Sequence, residues 1–210
     1  MIIYLTNNND LCKSFEFFDY IYLNNILFMI KIGIDPSINC TGVCVYDTIT
    51  GNNLYYMIVA SPTKKMSAFR NEYIQIRPYN KEKYTTDEYT IKENKKTNNI
   101  YMICSILREI IHWHEPDVVF MEGISYGSKS SAALVDLAGL NYCIRMMLYD
   151  CNVSYQILAP TAVKKYAVGN GGVEKDVMVA SWKKLDKNIA EITEIKLDDL
   201  ADSYFIAHYN

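Results

Sequence analysis

Hydrophobic positions recur with a period of two between residues 29 and 60, which is typical of β-strands. The pattern predicts strands over residues 29–35, 40–47 and 53–60, and Gly51-Asn52-Asn53 indicates a hairpin turn between the last two. Residues 61–96 are polar, contain two prolines and break the pattern. We therefore interpret them as one long loop, a kind of segment that is usually functional or mobile.

The rest of the chain alternates between helical and strand-like segments. An apolar period near 3.6 predicts a helix over about residues 98–114, and Pro116 ends it. The segments that follow are predicted as strand 117–122, helix 130–149, strand 153–158, a helix opened by Pro160, a glycine loop at Gly169–Gly172, and helices 174–185 and 197–208. This order predicts an α/β fold, a mixed sheet with helices on both faces.

Residues 1–28 differ from the rest, since they are rich in Phe, Tyr and Asn without a clean period. Our hypothesis is that Met29 is a plausible native start, with 1–28 a peripheral extension and 29–210 a single domain. The alternative is an ordinary N-terminal element packed on the core. A chain of 210 residues, half of them hydrophobic, is long enough to bury one core.

Composition narrows the function classes. The net charge of −3 means that any contact with DNA has to come from a local basic patch and a metal. The six cysteines form no CxxC pair, which is typical of thiols in a reducing compartment, and they lack the ordered spacing of a zinc site. The apolar stretch Tyr20–Ile34 is short and interrupted, so we expect no membrane span, no signal peptide and an intracellular, cytoplasmic protein.

Four acidic residues are candidates for metal binding. Asp35 and Glu122 end two predicted strands, and Asp199 and Asp202 project from one face of the last helix. Buried carboxylates that converge need a cation, and hard oxygen ligands favour Mg²⁺ or Mn²⁺. Two such ions about 4 Å apart can hydrolyse a phosphodiester. Taken singly, each residue has a structural alternative: a turn before proline, a partner for backbone amides, or a helix cap.

Lysines and glycines form a second constellation. Lys164 and Lys165 lie on the helix opened by Pro160, and Lys175 follows the glycine loop at the start of the next helix. Lysines and helix N-terminal amides bind phosphates without regard to base sequence. The alternative is a helix C-cap glycine with solvated lysines.

Four blocks resemble the RuvC-type Holliday junction resolvases. In family order they are Gly33–Ser37 with Thr41-Gly42, Val118–Gly123, Pro160–Val177, and Asp199–Ser203 running into Ala207-His208. The resemblance implies a ribonuclease H-like fold, three antiparallel strands followed by parallel ones. Richness in Asn, Ile, Lys and Tyr fits an AT-rich genome, such as that of a virus or phage.

The resemblance also implies roles for single residues. Asp35, Glu122, Asp199 and Asp202 would be the catalytic metal ligands for two Mg²⁺ ions, with Mn²⁺ able to substitute. Lys164, Lys165 and Lys175 would hold DNA phosphates, and Tyr126 or Lys129 would probe the junction centre. A homodimer would form through the helix that carries the small residues Ala132, Ala133, Val135, Ala138 and Gly139.

The implied activity is hydrolysis of four-way junctions and related branched DNA by paired cuts, giving 5′ phosphate ends. Three alternatives remain open. The same acidic set would serve a ribonuclease acting on RNA or RNA–DNA hybrids. An actin-like ATPase also begins with a Gly-x-Asp strand, although 210 residues is short for that class. A junction-binding protein without catalysis is the third reading.

Overall fold

The computed structural model describes residues 30–83, 85, 88–124 and 130–209. The strands are β1 (Ile30–Asp35), β2 (Cys40–Asp47), β3 (Asn53–Ala60), β4 (Ile74–Tyr79), β5 (Val118–Glu122) and β6 (Tyr155–Leu158). The helices are α1 (Lys64–Ala68), α2 (Tyr89–His114), α3 (Ser131–Asp150), α4 (Pro160–Val168), α5 (Lys175–Leu185) and α6 (Asp198–Ala207), with a 3-10 turn at Lys187–Ile189. The proposed extension, residues 1–28, lies outside the described residues.

The six strands form one mixed sheet in the order β4-β3-β2-β1-β5-β6. The first three strands pair antiparallel, as predicted. The later strands β5 and β6 add in parallel beside β1. The predicted α/β class, with an antiparallel half followed by a parallel half, is therefore confirmed.

Helices cover both faces of the sheet, again as predicted. Alternate residues of each strand point to opposite faces, so the sheet supplies two cores. On one face α4, α5 and α6 pack through buried residues such as Val163, Trp182 and Phe205. On the other face α2 and α3 pack through residues such as Leu107 and Leu140.

The prediction of one long loop over residues 61–96 is wrong. Within it, α1 is capped by the Thr63 hydroxyl, which accepts from the Met66 amide, and β4 pairs parallel with β3 at the edge of the sheet. Pro78 disguised this strand, because proline is depleted in strands and is tolerated only where its missing N–H can face outward. A sheet edge is such a position.

The start predicted for the long helix is also wrong, because α2 begins at Tyr89, nine residues before Asn98. The first buried residue of α2 is Asn99, so residues 89–98 bury no side chain in the core. A helix segment that buries nothing carries no apolar period, which is why the sequence pattern missed it.

Helix α3 is the one helix in the described part of the chain that is long and apolar enough to cross a membrane, judged by length and composition alone. One side of it packs in the core through Leu137, Leu140 and Ile144. Its other side exposes an apolar stripe formed by Val135, Tyr142, Met146 and Tyr149.

Helix α6 lies directly on the strands β1 and β2, at two glycines. A Cβ atom built on Gly33 would lie 2.3 Å from the main-chain oxygen of Ser203 and 2.4 Å from the Ala207 nitrogen. A Cβ atom on Gly42 would lie 2.0 Å from the main-chain oxygen of Asp199. Only glycine permits this approach, since the clashing atoms belong to the backbone and cannot rotate away.

We predict that Gly33→Ala lowers the free energy of unfolding by about 3 kcal/mol, because α6 has to move off the sheet. Chemical denaturation measures the change. Gly172→Ala is the matched control, since its nearest atom is the Asn170 side-chain oxygen at 3.6 Å, an ordinary contact. Equal stability of the two variants would mean that α6 is not held against β1.

Candidate active site

Asp35 and Glu122 are the last residues of two adjacent parallel strands, β1 and β5. Their neighbours Ile34 and Met121 pair in register, so the two carboxyl groups lie side by side at the carboxyl ends of these strands. The two side chains share a hydrogen bond. Asp35 is almost completely buried, with 8% of its surface exposed.

Helix α6 brings the other acidic residues to the same end of the sheet. Because Asp199 rests against Gly42, the first turn of α6 lies over the end of β1. Asp202 follows one turn later on the same helical face. The carboxylates of Asp199 and Asp202 both act electrostatically on Asp35. The four residues predicted from the sequence therefore converge.

Burial and mutual repulsion raise the pKa of these carboxyl groups. Burial, followed by the charges of Glu122, Asp202 and Asp199, holds the pKa of Asp35 well above its usual range. Burial and Asp202 raise the pKa of Glu122 to about 7. Burial likewise raises the pKa of Asp202 to about 6, with Asp199 contributing. A set of acids that cannot all ionise together is the electrostatic condition that a cation relieves.

The donor set fits a hard divalent cation. All four side chains offer carboxylate oxygens, the ligands that Mg²⁺ and Mn²⁺ prefer. Within the described ranges no three acidic, Cys or His side chains lie close enough together to hold a metal ion between them. Mg²⁺ does not need so many protein ligands, because it usually takes one or two carboxylates and completes its octahedron with waters and phosphate oxygens.

Two of the predicted lysines face the acidic centre. Lys175 Nζ lies 3.4 Å from Asp199 and 3.8 Å from Asp198. Burial opposes the charge of Lys175, but the surrounding carboxylates outweigh it and raise the pKa of the ammonium group. Lys164 donates to the main-chain oxygen of Val173 at 3.0 Å and acts on Glu122 and Asp202 through its charge.

The other predicted DNA contacts are placed differently or not described. Lys165 follows Lys164 on α4, about 100° around the helix, and is exposed to solvent. Tyr126 and Lys129 lie outside the described residues, in the segment after Glu122. The acidic centre therefore has a cationic flank built by α4 and α5, of which Lys164 and Lys175 are the inner members.

Two residues that support the acidic centre were not predicted from the sequence. Burial and the nearby Asp199 carboxylate raise the pKa of the Cys40 thiol, which places this thiol next to the acidic centre. Asn141, only 1% exposed on α3, donates to the main-chain oxygen of Glu122 at 3.0 Å. An amide among Leu137, Leu140 and Ile144 is the signal that could have identified Asn141, since a buried polar group needs a partner. Cys40 left no comparable signal.

Comparisons with known proteins identify the family of this chain. The family model "Crossover junction endodeoxyribonuclease RuvC" matches residues 75–208, more than half of the chain. The chain belongs to the RuvC family. A curated relative of that same name, from Koribacter versatilis (strain Ellin345), is 31% identical over 115 residues. That alignment spans 55% of this chain and 64% of the relative.

Solved structures of RuvC-type resolvases share the fold. The structure of T. thermophilus RuvC in complex with Holliday junction substrate has a TM-score of 0.54 at 16% identity, covering 85% of this chain and 90% of that one. The yeast mitochondrial Holliday junction resolvase Ydc2 also has a TM-score of 0.54, at 18% identity, covering 96% of this chain and 84% of that one. The fold is therefore ribonuclease H-like, as the resemblance implied.

The RuvC family match covers three of the four residues of the acidic centre. Glu122, Asp199 and Asp202 fall inside residues 75–208, whereas Asp35 precedes them. The place of Asp35 in the centre therefore depends on geometry, through its hydrogen bond with Glu122 and its burial under α6. Membership of the family implies a divalent-metal requirement.

The raised pKa values predict that the metal-free protein loses stability as pH rises. Glu122 changes from an ordinary pKa of 4.5 to about 7, and Asp202 from 3.8 to about 6. Between about pH 4 and 7 the folded state holds protons that the unfolded chain has released. The free energy of unfolding should then fall, by on the order of 3 kcal/mol for each of the two groups. Mg²⁺ should restore it most strongly above pH 7.

Thermal unfolding across this pH range, with and without Mg²⁺, measures the effect. Glu122→Gln should flatten the pH dependence and reduce the stabilisation by Mg²⁺, because it removes an ionisable ligand. Glu191→Gln is the control at an exposed position. Full Mg²⁺ stabilisation of Glu122→Gln would place the metal elsewhere.

Proposed function

We propose that this chain is a divalent-metal-dependent endonuclease that resolves Holliday junctions and related branched DNA. The observation that carries the proposal is the convergence of Asp35 and Glu122 with the α6 carboxylates, under burial that raises their pKa values. The cationic flank supports a phosphodiester substrate. Membership of the RuvC family supports junction resolution over the ribonuclease and ATPase alternatives.

The acidic centre would hold two Mg²⁺ ions, or Mn²⁺, through Asp35, Glu122, Asp199 and Asp202. When bound, the ions supply charge neutralisation and water activation for phosphodiester hydrolysis. The side chains orient these ligands: Asn141 holds the main chain of Glu122, and Gly42 lets Asp199 approach the end of β1. Because the acidic side chains repel one another, their negative charge is balanced only when the metal ions are bound. Substrate phosphates could therefore approach the acidic centre only in its metal-bound form.

In the proposed reaction a water oxygen bonds to the scissile phosphorus in line with the leaving group, and the bond from phosphorus to the 3′ oxygen breaks. The 3′ oxygen takes up a proton, so the products carry a 5′ phosphate and a 3′ hydroxyl. Lys164 and Lys175 face the acidic centre and would hold the phosphate backbone there, with Lys165 on the exposed rim. Tyr126 and Lys129 remain candidates for contact with the junction centre.

We further propose a homodimer formed through the exposed α3 stripe, so that two centres can cut opposed strands. The stripe consists of Val135, Tyr142, Met146 and Tyr149, which recur on one helical face. An apolar face of this kind marks an interaction surface. Gly139, which the resemblance placed in the contact, instead faces Ile100 of α2, with a built Cβ 3.4 Å from that side chain.

The same proposal assigns residues 29–210 to the nuclease unit and residues 1–28 to an extension. It also places the protein inside the cell, where junction DNA occurs. The apolar stripe of α3 would then be covered by a second copy rather than by lipid, because the other side of this helix carries Asn141 and packs on the sheet.

Cleavage of labelled DNA by the purified protein with Mg²⁺ tests the function. We expect paired cuts in a four-way junction and little cutting of linear duplex. Asp35→Asn should still bind the junction and lose cleavage by at least about a hundredfold, since it keeps shape and removes ligand charge. Cutting of an RNA–DNA hybrid alone would support the ribonuclease reading. Junction binding without any cutting would support a non-catalytic role.

The dimer is tested by light scattering on size-separated protein. Met146→Glu should convert the dimer into a monomer, because it places a charge in the centre of the apolar stripe. Trp113→Glu is the matched control, since Trp113 on α2 is 74% exposed and Met146 is 67% exposed. A dimer that survives Met146→Glu, or a wild-type monomer, would contradict this interface.

A further inference from the structure

A basic projection stands beside the acidic centre and has no part in the mechanism described above. We define it as residues 80–83, which follow β4, and residues 88–98, the start of α2 and the residue before it. It carries the lysines Lys81, Lys83, Lys92, Lys95 and Lys96. The sequence pattern treated it as loop, whereas the structure gives it a defined shape.

The projection extends beyond the core. The buried residues of α2 begin at Asn99, so the preceding ten residues, 89–98, form about three helical turns in which no side chain is fully buried. At 1.5 Å per residue this amounts to about 15 Å. A helix end that buries no apolar side chain gains little stability from the core, so its order depends on other contacts.

That order comes from a set of specific contacts at the base of the projection. The Asn99 side chain accepts from the Glu82 amide at 2.8 Å and donates to the Glu82 carbonyl at 3.2 Å. Lys95 Nζ donates to the carbonyl of Lys83 at 3.2 Å. These bonds hold residues 80–83 against the helix and fix the direction of the lysines.

Two contacts place the projection at the end of the sheet where the acidic centre lies. Lys81 Nζ donates to Asn39 at 2.7 Å, and Asn39 lies in the turn between Asp35 and Cys40. Lys96 pairs with Asp136 of α3 at 3.4 Å, near the start of the helix that follows Glu122. The base of the projection therefore contacts the turn that follows Asp35 and the start of the helix that follows Glu122. It belongs to the α2 and α3 side of the sheet, opposite the side that carries Lys164 and Lys175.

Four of the five lysines on the projection are in no ion pair with a described residue, although Lys81 and Lys95 each donate a hydrogen bond to a neutral oxygen. Lys96 is paired with Glu93 at 2.9 Å and with Asp136. Glu82 accepts a hydrogen bond from Asn98, and Glu88 has a partner of its own. No ion pair with another described residue engages Lys81, Lys83, Lys92 or Lys95.

The remaining side chains suit the backbone of a nucleic acid. A cavity of about 570 Å³ is lined by Lys95 and the polar side chains of Asn94, Thr97, Asn98 and Tyr101, together with Ile91 and with Glu82, which accepts a hydrogen bond from Asn98. Lys, Asn, Thr and Tyr are among the side chains that hydrogen-bond to DNA phosphates and sugars. Tyr101 is exposed, so its hydroxyl can donate to a phosphate or sugar oxygen.

We propose that the basic projection is a second DNA contact surface, which binds the phosphate backbone of one duplex arm of the substrate. With Lys164 and Lys175 on the opposite side of the sheet, it forms a two-sided cradle around the acidic centre. This inference rests on the proposed junction nuclease function. It adds an element that binds the DNA at a distance from the scissile phosphate. The contact is to backbone, so it is independent of base sequence and strongly dependent on salt.

The test measures junction binding against salt concentration, in metal-free buffer and in the Asp35→Asn background, so that no cleavage intervenes. Lys92→Gln with Lys95→Gln should flatten the slope of log K against log salt by about two units, since each lost phosphate contact removes about 0.9. Lys184→Gln with Lys187→Gln is the matched control, because both lysines are exposed at the end of α5 or just after it. Circular dichroism checks that both double variants fold.

Three results separate the possibilities. A reduced slope for the Lys92 and Lys95 variant, with an unchanged slope for the control, supports the inference. If the Lys92 and Lys95 variant has the same slope as the control, the inference is overturned. In that case a reduced slope for Lys164→Ala with Lys165→Ala would leave the proposed function intact. Absence of junction binding by the parent protein overturns both the inference and the function. Shortening the junction arms should abolish the difference between the two double variants.

Discussion

The close approach of α6 to the sheet is the constraint on which the site depends. Gly33 and Gly42 lie on neighbouring strands, and each meets main-chain atoms of α6 where any side chain would collide. The helix can therefore rest on β1 and β2 with almost no space between them. That contact carries Asp199 and Asp202 to within electrostatic reach of Asp35, which no flexible loop could do as reliably.

The same contact creates an electrostatic cost. It buries Asp35 under the helix and surrounds it with other carboxylates, so that its pKa rises and the acids compete for few protons. The fold stabilises this arrangement through its apolar layers, which bury large side chains such as Trp182 and Tyr55. Lys175 offsets part of the repulsion. The site is thus prepared for a cation rather than satisfied by the protein alone.

The sequence was informative where chemistry and local pattern coincide. Asp35 and Glu122 could be recognised because each ends a short apolar strand, and Asp202 because it follows Asp199 at helical spacing. Strand β4 could not, because Arg77 and Pro78 interrupt its period, and its stability comes from pairing with β3. The start of α2 was missed because nothing there is buried. Asn141 depends on a tertiary contact across about twenty residues, which no local pattern reports.

Helix α3 has two sides with different duties. One side holds the main chain of Glu122 through Asn141, and the other presents the apolar stripe. In the proposed dimer, α3 would lie between the Glu122 main chain and the two-fold axis. The separation of the two cuts along the DNA would then be set by α3, which is a rigid element. Insertions in surface loops could alter which branched substrates enter, while the stagger between the nicks stayed constant.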